Sequence, residues 1–226
     1  MQSFTEENYL KMIYSLANRR QGEVSTNALA EMTSTKAASV TDMLRKLADK
    51  QLIHYKKYQG VRLTEEGERL ALQVIRRHRL WEVFLVQKLG FGWDEVHDIA
   101  EELEHIRSED LVARLDTYLG CPQFDPHGDP IPTPAGQMPE MGYRKLSEVA
   151  MGEDVCLMAV LEHSTEFLKH LDHSNLTLGC SITVNEINTF DKSVLVQIGT
   201  GRTVFISHEV AKNLLVDSRQ SVVASH

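Results

Sequence analysis

The sequence predicts a mainly α fold that ends in a small β module, and three features carry that prediction. Apolar residues recur at helical spacing through the first 120 residues, as in Leu10, Ile13 and Ala17 and again in Val96, Ala100 and Leu103. Strict alternation replaces that spacing in SITVNEI, SVLVQIG and RTVFIS, with the turn signals FDKS and GTGR between them. Between the two regimes all six prolines fall within CPQFDPHGDPIPTPAGQMPE, which marks a Pro/Gly-rich linker at 121–142.

The 226 residues are 42% hydrophobic and 25% charged, the proportions of a soluble chain with its own core. Cys121, Cys156 and Cys180 are odd in number and far apart, so they form no disulfide framework and point to a reducing cytoplasm. The start MQSFTEENYLKMIY lacks a signal-peptide pattern, and no run approaches the roughly 18 apolar residues of a membrane span, so no membrane partner is expected. The net charge of −8 hides a split. Residues 1–63 carry ten Lys/Arg against six Asp/Glu, whereas the remainder carries 14 against 26. Such asymmetry suggests a nucleic-acid-facing part joined to an acidic one.

Within residues 1–63, Thr5 with Glu6 and Glu7 reads as the capped start of a first helix that ends near Gly22. Ser25 opens the short helix TNALAEM, a polar turn follows, and KAASVTDMLRKLADKQ forms the next helix. LIHYKKYQGVRLT then reads as a β-hairpin wing turning at Gly60, which completes a winged helix-turn-helix. On the second of these short helices Val40, Leu44 and Leu47 share the buried stripe. Ala38, Asp42 and Arg45 then face outward with Ser39 and Thr41 on the flanks, where small side chains allow close approach to base edges. Lys36, Arg45 and Lys46, with Lys56, Lys57 and Arg62 on the wing, would neutralise phosphates of double-stranded DNA. A helix hairpin with an ordinary charged face is the alternative.

Residues 64–120 read as two long amphipathic helices. The second carries His97, Glu101, Glu104 and His105 at offsets that place all four on one face, and the first offers His78 and Glu82 one turn apart. Six oxygen and nitrogen donors suit Mn²⁺ or Fe²⁺, tolerate Zn²⁺ and Co²⁺, and give Cu(I) nothing soft to hold. The bland alternative is a solvated acidic face. ELEH fails the zinc-protease patterns because Glu101 stands where a second histidine is needed. GxSxG, Walker and GxGxxG segments are absent, so neither an enzyme nor an organic cofactor is expected, although Glu101 and Glu104 remain a conceivable acid/base pair.

KAASVTDMLRKL, YKKYQGVRLTEEG, RRHRLWEVFL, VHDIAEELEH and DPHGDPIP, in this order, resemble the metal-dependent regulators of the diphtheria toxin repressor family, in particular their three-domain manganese-responsive branch. The resemblance implies a DNA-binding domain at 1–63, a helical dimerisation and metal-binding domain at 64–120 and an SH3-like, FeoA-like barrel at 143–217. It further implies a cytoplasmic homodimer that binds Mn²⁺ or Fe²⁺ and then represses metal-uptake genes at palindromic operators. It places a primary metal site on the first helix with Glu101, Glu104 and His105. An ancillary site falls on His78, Glu82 and His97, joined by His163 and Glu166, and a related site draws on Asp125 and His127, so that Glu82 could serve with His163, Asp125 and His127. The first-helix ligand, aspartate or methionine in the better known branches, is Asn8 here, and an additional glutamate of the shorter manganese regulators is Lys11. Two other classes remain open: a metallohydrolase or metal buffer, and a winged-helix regulator that senses a small organic ligand through its C-terminal module.

Overall fold

The computed structural model describes residues 3–20, 22–56 and 60–218. It comprises two compact units, one of residues 1–81, 101–115 and 131–139, the other of 82–100, 116–130 and 140 onward. Among the described residues no helix is long and apolar enough to cross a membrane.

In the first unit, helix α1 (Phe4–Arg20) begins two residues earlier than a cap at Thr5 would set it. Ser3 is the cap: its Oγ accepts from the Glu6 amide at 3.3 Å, and its own amide donates to Glu6 Oε2 at 2.7 Å. This reciprocal capping box satisfies two donors that a helix start otherwise leaves open. Tyr9, Leu10, Ile13 and Tyr14 then form the buried face of α1. Ser25 caps α2 (Thr26–Met32) through a 3.1 Å bond to the Ala28 amide, and α3 (Ala37–Asp49) buries Val40, Leu44 and Leu47 completely. Strands β1 (Ile53–Lys56) and β2 (Gly60–Leu63) pair antiparallel, and Val24 bridges Val61. These elements share one core with the start of α4 (Glu65–Leu89), where Ala71, Leu72 and Ile75 face inward. Gly67 makes that approach possible, since a Cβ there would lie 1.9 Å from the Leu52 carbonyl oxygen.

The second long helix expected in 64–120 is instead two, α5 (Val96–Leu103) and α6 (Glu109–Tyr118), so Glu104 and His105 do not continue the face of His97 and Glu101. Two bonds explain the break. Arg77 Nε takes the Glu104 carbonyl oxygen at 2.5 Å, and Ser108 Oγ accepts from the Leu111 amide at 3.3 Å to start α6.

The second unit holds a six-stranded antiparallel sheet in the order β3-β8-β4-β5-β6-β7. Its strands are β3 (Arg144–Lys145), β4 (Asp154–Val160), β5 (Ser181–Ile187), β6 (Val194–Ile198), β7 (Arg202–Ile206) and β8 (Leu214–Ser218). Alternate residues such as Val155, Leu157, Ile182, Val184 and Val216 point to the core, where Leu168 and Leu171 of helix α7 (Thr165–Ser174) meet them. A one-turn helix, α8 (His208–Ala211), precedes β8. The register slips at a bulge between Leu157 and Ala159 in β4.

The segment expected as a linker is not a free tether. Residues 121–130 belong to the second unit and 131–139 to the first, where the buried Arg76 donates to the Pro132 carbonyl at 2.6 Å. Proline removes amide donors, so such a segment holds its place through carbonyl acceptors and side chains.

Glu6 is 1% exposed and joins α1 to α3: Lys50 Nζ lies 2.7 and 2.8 Å from its two oxygens and Lys46 Nζ 3.1 Å from Oε1. Burial alone would raise its pKa, but the two ammonium groups and the Ser3 amide hold it at about 2. Its contribution to stability is therefore present above the ordinary value of 4.5 and lost as the pH falls towards about 2. Glu6→Gln should lower stability by about 1–3 kcal/mol at neutral pH and by progressively less in acid; urea melts at several pH values check both, and a constant difference would contradict the ion pairing.

Candidate metal centre

A ligand cluster of Glu82, Asp125 and His127 lies in the second unit, with Asp125 and His127 on a tight turn at residues 124–130. Asp125 Oδ1 accepts from the amides of His127 at 2.8 Å and Asp129 at 3.0 Å, and the Asp125 amide donates to the Asp129 carbonyl at 3.0 Å. These bonds hold the carboxylate before any ligand arrives. Gly128, at φ +87°, seats the turn on β4, since a Cβ there would lie 2.1 Å from the Met158 carbonyl oxygen. Met158 is the residue at the β4 bulge, and the His127 carbonyl accepts from the Val160 amide at 3.0 Å.

His127 is wholly buried. Its Nε2 donates to the Trp93 carbonyl at 2.9 Å, which directs Nδ1 towards Glu82 Oε2 at 3.7 Å and Asp125 Oδ1 at 3.9 Å. Both separations exceed hydrogen-bonding distance, so Nδ1 is a buried polar atom with no hydrogen-bond partner. Ligand atoms of Glu82, Asp125 and His127 lie within 4.8 Å of one another. Burial presses the His127 pKa down, but the carboxylates of Glu82 and Asp125 and the Trp93 carbonyl overcome it and raise the value to about 9.

Two further imidazoles border this trio. His97 Nδ1 lies 3.7 Å from Glu82 Oε1, and the His163 ring stacks on His127 with centroids 4.5 Å apart. His163 Nε2 meets the Val160 carbonyl at 3.0 Å, while burial and the charge on His127 lower its pKa. A 310 Å³ pocket lined by Asp94, His97, Asp98, His163, Thr165 and Lys169 opens beside these rings. Glu166 and Cys121 are exposed and line neither the trio nor the pocket. Two buried carboxylates and an imidazole whose Nδ1 is directed at them, a ligand once its proton leaves, fit a hard or borderline divalent cation.

The residues expected at the first-helix site gather in the first unit, but with different partners. Glu104 is 1% exposed, and its Oε2 lies 2.6 Å from both Lys11 Nζ and His78 Nδ1. Lys11 Nζ also stands 3.2 Å from His78 Nδ1 and 3.6 Å from Glu101 Oε1. Burial would raise the Glu104 pKa, but His78 and Lys11 bring it below the ordinary value. Glu7 reaches His105 Nδ1 at 2.8 Å, Arg107 at 3.1 Å and Arg77 at 3.2 Å, while Asn8 is exposed. Three carboxylates thus meet three permanent cations, Lys11, Arg77 and Arg107, and the donor set does not fit a divalent ion. By sequence alone Glu7 is a helix-start acid. Its spacing to Leu10 and Tyr14 places it on the buried stripe of α1, which is the signal that marks it.

On α3, Lys36, Ala38 and Ser39 are exposed, and Thr41 Oγ1 donates to the Ala37 carbonyl at 2.9 Å. Asp42 and Arg45 pair at 3.3 Å yet remain 76% and 62% exposed. Lys46 is held by Glu6, and Arg62 pairs with Glu23 at 3.1 Å. Lys56 is exposed, and Lys57 lies outside the described residues.

Comparison with known proteins accounts for nearly the whole chain. Residues 1–61 match the N-terminal DNA binding domain of iron dependent repressors, 64–133 their metal binding and dimerisation domain, and 144–218 the FeoA domain. The chain is 30% identical over 226 residues to the iron-dependent repressor IdeR of Mycobacterium tuberculosis, covering 94% of this chain and 96% of that protein. A manganese-dependent transcriptional repressor solved in complex with manganese is 37% identical, with a TM-score of 0.87 over 94% of this chain and 99% of the other. ScaR solved with bound Cd²⁺ is 30% identical, with a TM-score of 0.79 over 94% and 99%.

Because Gly128 combines a positive φ with backbone contact, Gly128→Ala should destabilise the second unit by about 2–4 kcal/mol. Thermal melts read the effect, and unchanged melting would show that the turn is not seated on β4.

Proposed function

The chain belongs to the iron-dependent repressor family, and from that premise we propose that it is a Mn²⁺- or Fe²⁺-dependent transcriptional repressor that binds palindromic operator DNA as a homodimer in the cytoplasm. The observation that carries the metal half is the buried, unpartnered Nδ1 of His127 directed at Glu82 and Asp125. In this reading Glu82, Asp125 and His127 hold the ion, with His97 and His163 beside them. The ion, when bound, supplies positive charge to two buried carboxylates that otherwise repel one another. Zn²⁺ and Co²⁺ serve as surrogates, since all the donors are oxygen or nitrogen.

The chain's own residues do the rest. The Trp93 carbonyl fixes the His127 tautomer, and the amides of residues 127 and 129 fix Asp125. Glu82 lies on α4, whose residues 65–81 belong to the DNA-binding unit, so holding Glu82 constrains a helix that the core of that unit also uses. Moving a switch from 1:99 to 99:1 takes about 5.5 kcal/mol of differential binding, within the reach of several ligand bonds. On α3, Ala38 and Ser39 admit close approach to the major groove, Asp42 is suited to a cytosine amino group, and Arg45 and Lys36 to phosphates. Lys46 serves Glu6 first.

A duplex selected from a random pool by the manganese-loaded protein tests the reading. Affinity should rise at least about tenfold with Mn²⁺ or Fe²⁺ and fall steeply with salt; equal binding in excess chelator would refute the switch. Glu82→Gln with His127→Ala should abolish the metal response. Arg45→Ala should weaken DNA binding by about 1–2 kcal/mol while metal affinity stays the same, and a shift in metal affinity would contradict the separation of the two sites.

A further inference from the structure

We infer that the Lys11 ammonium is the resident cation of the Glu104–His78–Glu101 cluster, so this cluster takes no divalent ion and the metal response is confined to ligands outside it. The inference deepens the function proposed above and rests on it only for the expectation that metal is held at Glu82, Asp125 and His127.

Position is the first argument. Lys11 Nζ lies 2.6 Å from Glu104 Oε2, 3.2 Å from His78 Nδ1 and 3.6 Å from Glu101 Oε1, so it stands among the very donors an ion would need. Its side chain is 17% exposed and that of Glu104 is 1% exposed, so the ammonium is enclosed rather than resting at the rim. Displacing it would cost a charge-assisted bond of ordinary strong length and would leave an ammonium to be rehoused.

Charge is the second argument. Glu7, Glu101 and Glu104 are matched by Lys11, Arg77 and Arg107, each carboxylate having a permanent cation within 3.6 Å. A divalent ion entering this set would add two positive charges to a balanced cluster, and the neighbouring guanidinium groups would repel it. The arrangement also has a reason to exist without metal. Glu7 and Lys11 sit one turn apart on α1, and through His105 and Glu104 they tie that helix to residues 104–107. Covalent tethering gives the ammonium an effective concentration that a free cation must exceed.

Manganese binding by the full chain, counted by elemental analysis and followed by calorimetry, tests this directly. Glu104→Gln should leave the number of bound ions unchanged and the affinity within about twofold of the parent; loss of an ion, or weakening by about tenfold or more, overturns the inference. Lys11→Met strips the cluster of its cation and should gain one Mn²⁺ per protomer, with a lower melting temperature in chelator that manganese restores. An unchanged ion count in a folded Lys11→Met protein also overturns it. Should that variant fail to fold, the Glu104→Gln arm still decides. Glu82→Gln reports separately on the proposed function: retention of every ion there would defeat that reading, while the Lys11 and Glu104 arms keep their meaning.

Discussion

A carboxylate withdrawn from water must be neutralised, and the way each unit meets that demand divides the labour of this chain. Glu104 meets the ammonium of Lys11, a permanent charge delivered by the protein itself. Glu82 and Asp125 meet the imidazole of His127, whose proton is exchangeable and whose Nδ1 stands too far from either oxygen to bond. The first solution is self-contained. The second is poised for an added cation, because an imidazole that loses its proton becomes a ligand whereas an ammonium does so only at far greater cost.

Backbone geometry makes the second solution precise. Asp125 spends one oxygen on two amides of its own turn, Gly128 lets that turn lie flat against the β4 bulge, and the Trp93 carbonyl sets the imidazole. None of these groups is itself a candidate donor to the ion except Asp125, yet together they remove the freedom that a loop-borne site would otherwise lose on binding. A Pro/Gly-rich stretch is well suited to this task. It forms no competing ladder, and its carbonyls and side chains are available for docking.

The DNA-facing unit shows the same economy of charge. Glu6 caps α1 and at the same time pairs with Lys46 and Lys50 of the α3 region, so part of the basic count of residues 1–63 is already matched within the unit. The exposed face of α3 carries a small-residue stretch at Ala38 and Ser39 and an Asp42–Arg45 pair alongside the Glu6-bound Lys46. A net basic balance therefore overstates the charge available to phosphates.

The order of elements, the winged helix-turn-helix and the alternating strands were all legible in the sequence, because hydrophobic period is a local property. A helix-start signal likewise located Ser25. The break between α5 and α6 was not legible, since it depends on Arg77 capturing the Glu104 carbonyl from a helix some 27 positions away. The place of Lys11 among the donors was not legible either. The family resemblance grouped Glu82 with Asp125 and His127, but only the tertiary structure brought Lys11 against Glu104, because the neighbours of a buried charge are chosen by chain packing and not by spacing along the chain.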